Sequence, residues 1–181
     1  MVAALEATGA FLDGHFQLNS GRHSGRYLEK FNLLQWPQQT ELVCRKMVNA
    51  VRDSRPATVA GPTTGGAILA YEVARQLELR GIIAERDDGG GRSFQRDFRL
   101  APGERVLVVD DVLTSGESVR DTIAAVHRAG AAPVAVTVMV DRARGAIDFG
   151  LPFFAATEVD MESYEPVDCP LCRDGAALTI T

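Results

Sequence analysis

Lysine is almost missing from this chain: Lys30 and Lys46 are the only two among nineteen Lys and Arg residues. The basic side chains are therefore nearly all guanidinium forks, which suit bidentate contacts to phosphate and carboxylate. Cysteine is scarce as well. Cys44, Cys169 and Cys172 are an odd, low number for 181 residues, which argues against a disulfide framework. No apolar run approaches the roughly 20 residues needed to span a bilayer. Met1 to Glu6 carries neither a basic leader nor a long apolar core, so no signal peptide is expected and a cytoplasmic location is the default. Positive charge is in deficit, with a formal net charge of -5. That argues against general nucleic-acid binding, which needs a basic face to displace counterions. Internal repeats and low-complexity tracts are absent, and no Gly-x-Gly-x-x-Gly follows the first strand, which argues against a dinucleotide-binding domain.

What is present is an ordinary globular composition, 46% hydrophobic and 24% charged, sized for one domain over 1–181. Residues 2–10 read as a short helix. Residues 14–36, punctuated by Gly14, Gly21 and Gly25, read as a hairpin or irregular strand pair. Pro37 starts a helix, with apolar residues at helical spacing over 38–52. From Thr58 the pattern becomes regular: a strand over 58–60, a helix over 66–79 that Gly81 ends, and a strand over 82–84. A polar, glycine-rich loop follows over 86–98. Then come a strand over 105–110, a helix over 116–129, a strand over 134–140 and one more over 153–157. Apolar strands alternating with helices predict an α/β fold with a mainly parallel sheet covered on both faces. Such sheets bind ligands beyond the carboxyl ends of their strands, where the Gly61–Gly66 and Asp110–Ser118 loops emerge.

The stretch from Val106 to Ser118 carries the chemistry. Four apolar residues bury a strand, and Asp110 and Asp111 appear at its exit. Two adjacent carboxylates there are costly unless they meet a cation or hydroxyl groups. Thr114-Ser115-Gly116-Glu117-Ser118 then leads into a helix, and hydroxyls, a glycine and free helix N–H groups make an anion cradle. One loop thus offers acceptors for ribose hydroxyls, directly or through Mg²⁺, and donors for a phosphate. The plainer alternative makes the acids turn residues and Ser115 an N-cap.

Val106–Ser118 resembles the phosphoribosyl-pyrophosphate signature of type I phosphoribosyltransferases. Phe16-Gln17-Leu18-Asn19-Ser20-Gly21-Arg22-His23-Ser24 and Val140-Asp141-Arg142 resemble motifs of the orotate phosphoribosyltransferases, and Cys169-Pro170-Leu171-Cys172-Arg173 recurs in a bacterial branch of them. The resemblance spans nearly the whole chain. It implies the type I fold, a mainly parallel sheet flanked by helices with a small N-terminal hood to which 1–36 and 150–181 contribute. It also implies Mg²⁺-dependent transfer of phosphoribosyl from phosphoribosyl pyrophosphate to orotate, giving orotidine 5′-phosphate and pyrophosphate in pyrimidine (UMP) biosynthesis, by a homodimer.

Carried over residue by residue, the resemblance gives Asp110 and Asp111 to the ribose hydroxyls and the oxocarbenium-like transition state. Thr114, Ser115, Gly116, Glu117 and Ser118 hold the 5-phosphate. Gly61 to Gly66, with Thr63, Thr64, Gly65 and Gly66, is the pyrophosphate loop. Arg142 and Thr114 meet the orotate carboxylate, Tyr27 meets the base, and Mg²⁺ is held mainly by the donor, with no protein metal ligands. The plainer reading of Arg142 is an ion pair with Asp141.

Two departures stand out. The family's mobile loop, whose lysine and histidine stabilise departing pyrophosphate, reads here Glu85-Arg86-Asp87-Asp88-Gly89-Gly90-Gly91-Arg92-Ser93-Phe94-Gln95-Arg96, with arginine as its only cation. Arg86 is the catalytic candidate there, since arginine can balance pyrophosphate charge but is a poor proton donor. Asn19 stands where many relatives carry a basic residue. These departures keep open a different base, or a non-catalytic regulator that senses phosphoribosyl pyrophosphate. Cys169-Pro170-Leu171-Cys172 has the spacing of half a zinc site; the sequence offers no second pair and the histidines do not suggest one, so a reduced pair in a C-terminal turn is the plainer reading. His127 reads as a surface residue.

Overall fold

A computed structural model describes residues 2–18 and 20–181. The chain divides into two compact units, Leu34–Val159 and Val2–Leu33 with Asp160–Thr181. In the smaller unit, α1 (Val2–Ala7) precedes β1 (Phe11–Gln17) and β2 (His23–Leu28), followed by α2 (Phe31–Leu34), α6 (Pro170–Arg173) and β9 (Thr179–Ile180) near the end of the sequence. β1 pairs antiparallel with β2 and parallel with β9, in the order β2-β1-β9. The first helix stops at Ala7 rather than near 10 because Gly9 turns the chain with φ of 66°. The strand pair starts earlier than the glycine pattern predicts, at Phe11.

The larger unit contains α3 (Pro37–Val51), β3 (Thr58–Pro62), α4 (Gly65–Leu77), β4 (Arg80–Arg86), β5 (Arg92–Phe94), β6 (Arg105–Leu113), α5 (Glu117–Arg128), β7 (Ala132–Asp141) and β8 (Phe153–Glu158). The strands form one sheet in the order β5-β4-β3-β6-β7-β8, parallel except at β5. Residues 153–158 belong to this sheet, because β8 pairs with β7 from Val136↔Phe153 to Asp141↔Glu158. The expected α/β class with a mainly parallel sheet is therefore the observed one.

Strand β6 shows why the sheet needs helices on both faces. Val106 and Val108 pack in one cluster with Val119 and Val126 of α5. Successive strand residues face opposite ways, and Leu107 and Val109 are equally buried, with α4 packed against the same strand. Each such side chain contributes about 1.5–3 kcal/mol by leaving water. Gly81 does not end a helix. The helix ends at Leu77, with Glu78 as its left-handed cap, and Gly81 lies in β4, where a Cβ would come within 3.0 Å of the Ala70 carbonyl oxygen. The predicted irregular loop 86–98 is in part a hairpin: β5 runs back along β4, with Glu85↔Ser93 and Arg86↔Arg92 in register. Among the described residues no helix is long and apolar enough to cross a membrane.

A candidate active site at the carboxyl edge of the sheet

Parallel pairing of β3 with β6, with Ala60 opposite Val108, brings the loops after both strands to the same sheet edge. The two loops interlock there. A Cβ on Gly65 would lie 1.9 Å from Asp111 Oδ2, and one on Gly66 would lie 2.6 Å from Pro62 Cδ and 3.0 Å from Asp110 Oδ1. A Cβ on Gly61 would lie 2.1 Å from the Gly66 carbonyl oxygen. Only glycine lets this backbone come so close to the acidic pair. Thr63 and Thr64, joined by a cis peptide, remain exposed at the loop's tip.

Both acids are buried. Asp110 Oδ2 accepts a hydrogen bond from Ser118 Oγ at 2.5 Å, and Oδ1 accepts one from the Asp111 N–H at 2.8 Å. Asp111 Oδ1 accepts one from the Val112 N–H at 2.6 Å. Burial, and next the neighbouring Asp111 charge, push the Asp110 carboxyl up to about 7, against the opposing pull of the Ser118 hydrogen bond. Ionising Asp110 is thus disfavoured by its burial and by the adjacent acid.

Beyond the acids the chain turns through exposed Thr114 and Ser115 to Gly116, the N-cap of α5, at φ of 77°. No side chain caps this helix; the Ser115 hydroxyl accepts the Glu117 N–H only at 3.4 Å. The plainer alternative, Ser115 as N-cap, is not what forms: Gly116 holds that position and leaves a bare terminus. Its first-turn N–H groups have no acceptor within the helix, which is what an incoming phosphate needs. Ser118 does not point its hydroxyl outward but spends it on Asp110.

Arg142 follows β7, half-buried, with its backbone N–H donating to the Leu113 carbonyl at 2.9 Å, so it stands beside the end of β6. Asp141 shapes the following turn. Its carboxylate accepts the N–H groups of Ala143 at 2.7 Å, Arg144 at 3.0 Å and Gly145 at 2.9 Å. Arg86 is exposed at the end of β4. Tyr27 belongs to the smaller unit, on β2, where its ring lies 5.6 Å from that of Phe16. His127 is exposed, as expected, and Asn19 lies outside the described residues.

Sequence reasoning missed the role of Arg92. This buried side chain donates from Nη1 to Thr63 Oγ1 at 3.3 Å and to the Ala84 carbonyl at 3.0 Å, and from Nη2 to the Thr63 carbonyl at 3.5 Å. It ties the hairpin to the glycine loop. Desolvation lowers its pKa, and Asp110 draws it back up. Its only signal in the sequence is its place just after three glycines, where a short return strand could begin. The sequence reading also kept His15 and His23 apart from the Cys-x-x-Cys pair, whereas the structure gathers all four.

Residues 31–149 match the family model described as the phosphoribosyl transferase domain. The chain is 45% identical over 175 residues to an orotate phosphoribosyltransferase of Pelotomaculum thermopropionicum, covering 97% of this chain and 92% of that one. It is 42% identical over 171 residues to that of Thermotoga maritima, covering 94% and 91%. Among solved structures, the orotate phosphoribosyltransferase of Aeropyrum pernix is similar with a TM-score of 0.74 at 27% identity, over 88% of this chain and 94% of that one.

Proposed function

The chain belongs to the phosphoribosyltransferase family, in its orotate phosphoribosyltransferase group, and from that premise we infer that it transfers phosphoribosyl from phosphoribosyl pyrophosphate to orotate. The products are orotidine 5′-phosphate and pyrophosphate, a step of pyrimidine biosynthesis. The observation that carries the site assignment is the interlock of Gly65 and Gly66 with Asp111 and Asp110. The close approach of the glycine loop to the acidic pair supports reading them as the pyrophosphate and ribose sides of one site.

In this reading the bare start of α5, with Thr114 and Ser115, holds the 5-phosphate. The 61–66 loop holds the pyrophosphate through exposed Thr63 and Thr64 and close backbone. Asp110 and Asp111 face the ribose hydroxyls, so that negative charge lies beside C1 as its bond to the pyrophosphate oxygen breaks and a bond to the orotate ring nitrogen forms. Ser118 is a positioning residue that fixes Asp110, and Glu117 opens the helix. Arg142, with Thr114, clamps the orotate carboxylate by a guanidinium fork. Tyr27 supports the base. Arg86 balances charge on departing pyrophosphate.

Mg²⁺ fits as an ion carried in by the donor. The Asp110 oxygens and Asp111 Oδ1 already accept hydrogen bonds, so the acidic pair suits hydroxyl groups better than a resident cation. The ion supplies neutralisation of the diphosphate charge. We place the enzyme in the cytoplasm, a reading supported by three cysteines that form no disulfide, and as a homodimer, which sedimentation would test.

The deciding assay mixes protein, Mg²⁺ and phosphoribosyl pyrophosphate with orotate and follows the loss of orotate absorbance. Turnover with orotate, and none with purine bases, is expected. Donor binding without orotate turnover would overturn the reading.

A further inference from the structure

His15 on β1, His23 on β2, and Cys169 and Cys172 around α6 turn their ligand atoms to one point in the smaller unit. All four atoms lie within 4.8 Å of one another. His15 Nε2 and His23 Nδ1 are 3.0 Å apart. Cys169 Sγ lies 3.5 Å and Cys172 Sγ 3.7 Å from His15 Nε2, and Cys172 Sγ lies 3.3 Å from His23 Nδ1. A tetrahedral zinc site, with Zn–N of about 2.0–2.1 Å and Zn–S of about 2.3 Å, has N···N edges of about 3.3 Å and N···S edges of about 3.6 Å. These four edges lie within about 0.3 Å of that polyhedron.

Neighbouring groups also suit a metal. His15 Nδ1 faces the Ala176 carbonyl at 2.9 Å, so Nδ1 carries the proton and the Nε2 lone pair points inward. The same short turn supplies both thiols and this outer acceptor: Cys169 precedes α6, and Ala176 returns its N–H to the Leu171 carbonyl. His15, His23 and Cys169 are buried. The unit has a small apolar core, chiefly Leu5, Phe16, Leu28 and Leu33. Units with so little apolar volume commonly need a staple to hold their shape.

We propose that His15, His23, Cys169 and Cys172 form a structural zinc site that fastens the 160–181 segment to the β1–β2 hairpin. Binding releases one proton from each thiol and none from the two neutral imidazoles. Two thiolates then cancel the charge of Zn²⁺, leaving a neutral complex suited to burial. Four protein ligands close the coordination sphere, so the ion stabilises rather than catalyses.

The test is metal content of the purified, reduced full-length chain, grown with zinc. About one zinc per chain is expected, retained in Cys44→Ser and lost in Cys172→Ser and His23→Ala. Cobalt(II) added to the stripped wild-type chain should give intense tetrahedral bands with thiolate charge transfer, a readout that depends on no variant folding. Zinc removal should lower Tm by on the order of 10 °C, reversed by adding zinc. Less than a tenth of a zinc per chain, together with a weak octahedral cobalt spectrum, would overturn the proposal and leave a hydrogen-bonded His/Cys cluster. A loss of two hydrogens in mass that reductant restores, with no metal bound by the reduced chain, would overturn it in favour of a disulfide.

Discussion

Two segments leave the carboxyl edge of the sheet, one after β6 and one after β4 with β3 between them, and they are built in opposite ways. The Asp110–Ser118 loop is locked at its base: buried carboxylates, a 2.5 Å hydroxyl contact and glycines of the facing loop with no room for a Cβ hold the acidic pair. The hairpin between β4 and β5 is held by a few polar ties. Asp87 Oδ1 accepts the N–H groups of Gly89 at 3.1 Å and Gly91 at 3.0 Å, and Arg96 reaches Glu85 at 2.5 Å while largely exposed. The return strand is held more firmly: Arg92 anchors it to Thr63, Arg128 donates to the Arg92 carbonyl, and Phe94 packs against the core cluster. Binding a sugar phosphate asks for preorganised geometry, whereas admitting substrate and releasing pyrophosphate asks for a segment that opens at low cost. In the proposed reaction the two segments would serve as a fixed floor and a lightly tethered cover.

The contrast can be broken most directly at Gly65. Gly65→Ala forces a Cβ into Asp111 and should lower kcat/KM by at least about 100-fold, with a stability loss of about 1–3 kcal/mol seen in urea unfolding. A fully active, equally stable variant would show that the floor is not locked. Asp111→Asn keeps the shape and removes charge, so turnover should fall on the order of 100-fold with little change in Tm; unchanged activity would make the acidic pair structural.

The cover should separate into two behaviours. Arg86→Ala, at an exposed position, is expected to reduce kcat by about tenfold while leaving Tm unchanged. Arg92→Ala removes a buried, hydrogen-bonded guanidinium and should lower Tm and raise KM for the donor by a few-fold. Equal effects of the two on Tm would erase the distinction between tip and anchor.

The smallest effect is a slope with pH. The Asp110 carboxyl titrates near 7 when folded, against an ordinary value of 3.8. Between those values the unfolded chain gives up a proton that the folded chain keeps, so this group's contribution to stability falls as pH rises through that window. Asp110→Asn lacks the titration. The Tm of the variant minus that of the wild type should grow by a few degrees from pH 4 to pH 8, and a flat difference would contradict a raised Asp110 pKa.

The floor was legible in the sequence because its parts are adjacent along the chain and each has a local reason. A buried apolar run ending in Asp110-Asp111 and hydroxyls before a helix carry their chemistry in their order. The parallel sheet was legible for the same reason, from strands 58–60, 105–110 and 134–140. What escaped depends on distant pairing. β4 extends to Arg80 and Arg86 although these are polar, because β3 and β5 supply its hydrogen bonds. Gly81 passes for a helix stop until its carbonyl neighbour at Ala70 is seen. Arg92 looks like one more loop cation, and His15 lies far in sequence from Cys169. No short window along the chain contains both Arg92 and Thr63, or both His15 and Cys169.

The split origin of the smaller unit sets a timetable for the newly made protein. Its β1–β2 hairpin leaves the ribosome early, but β9 and both cysteines follow only after residues 34–159. At about 5–20 residues per second, the hairpin waits some 6–30 s for its partners. During that interval β1 has no β9 beside it, and an unpaired strand edge is a template for strands of other chains. The sheet unit, continuous in sequence, can finish folding within the same interval, so the smaller unit closes after it.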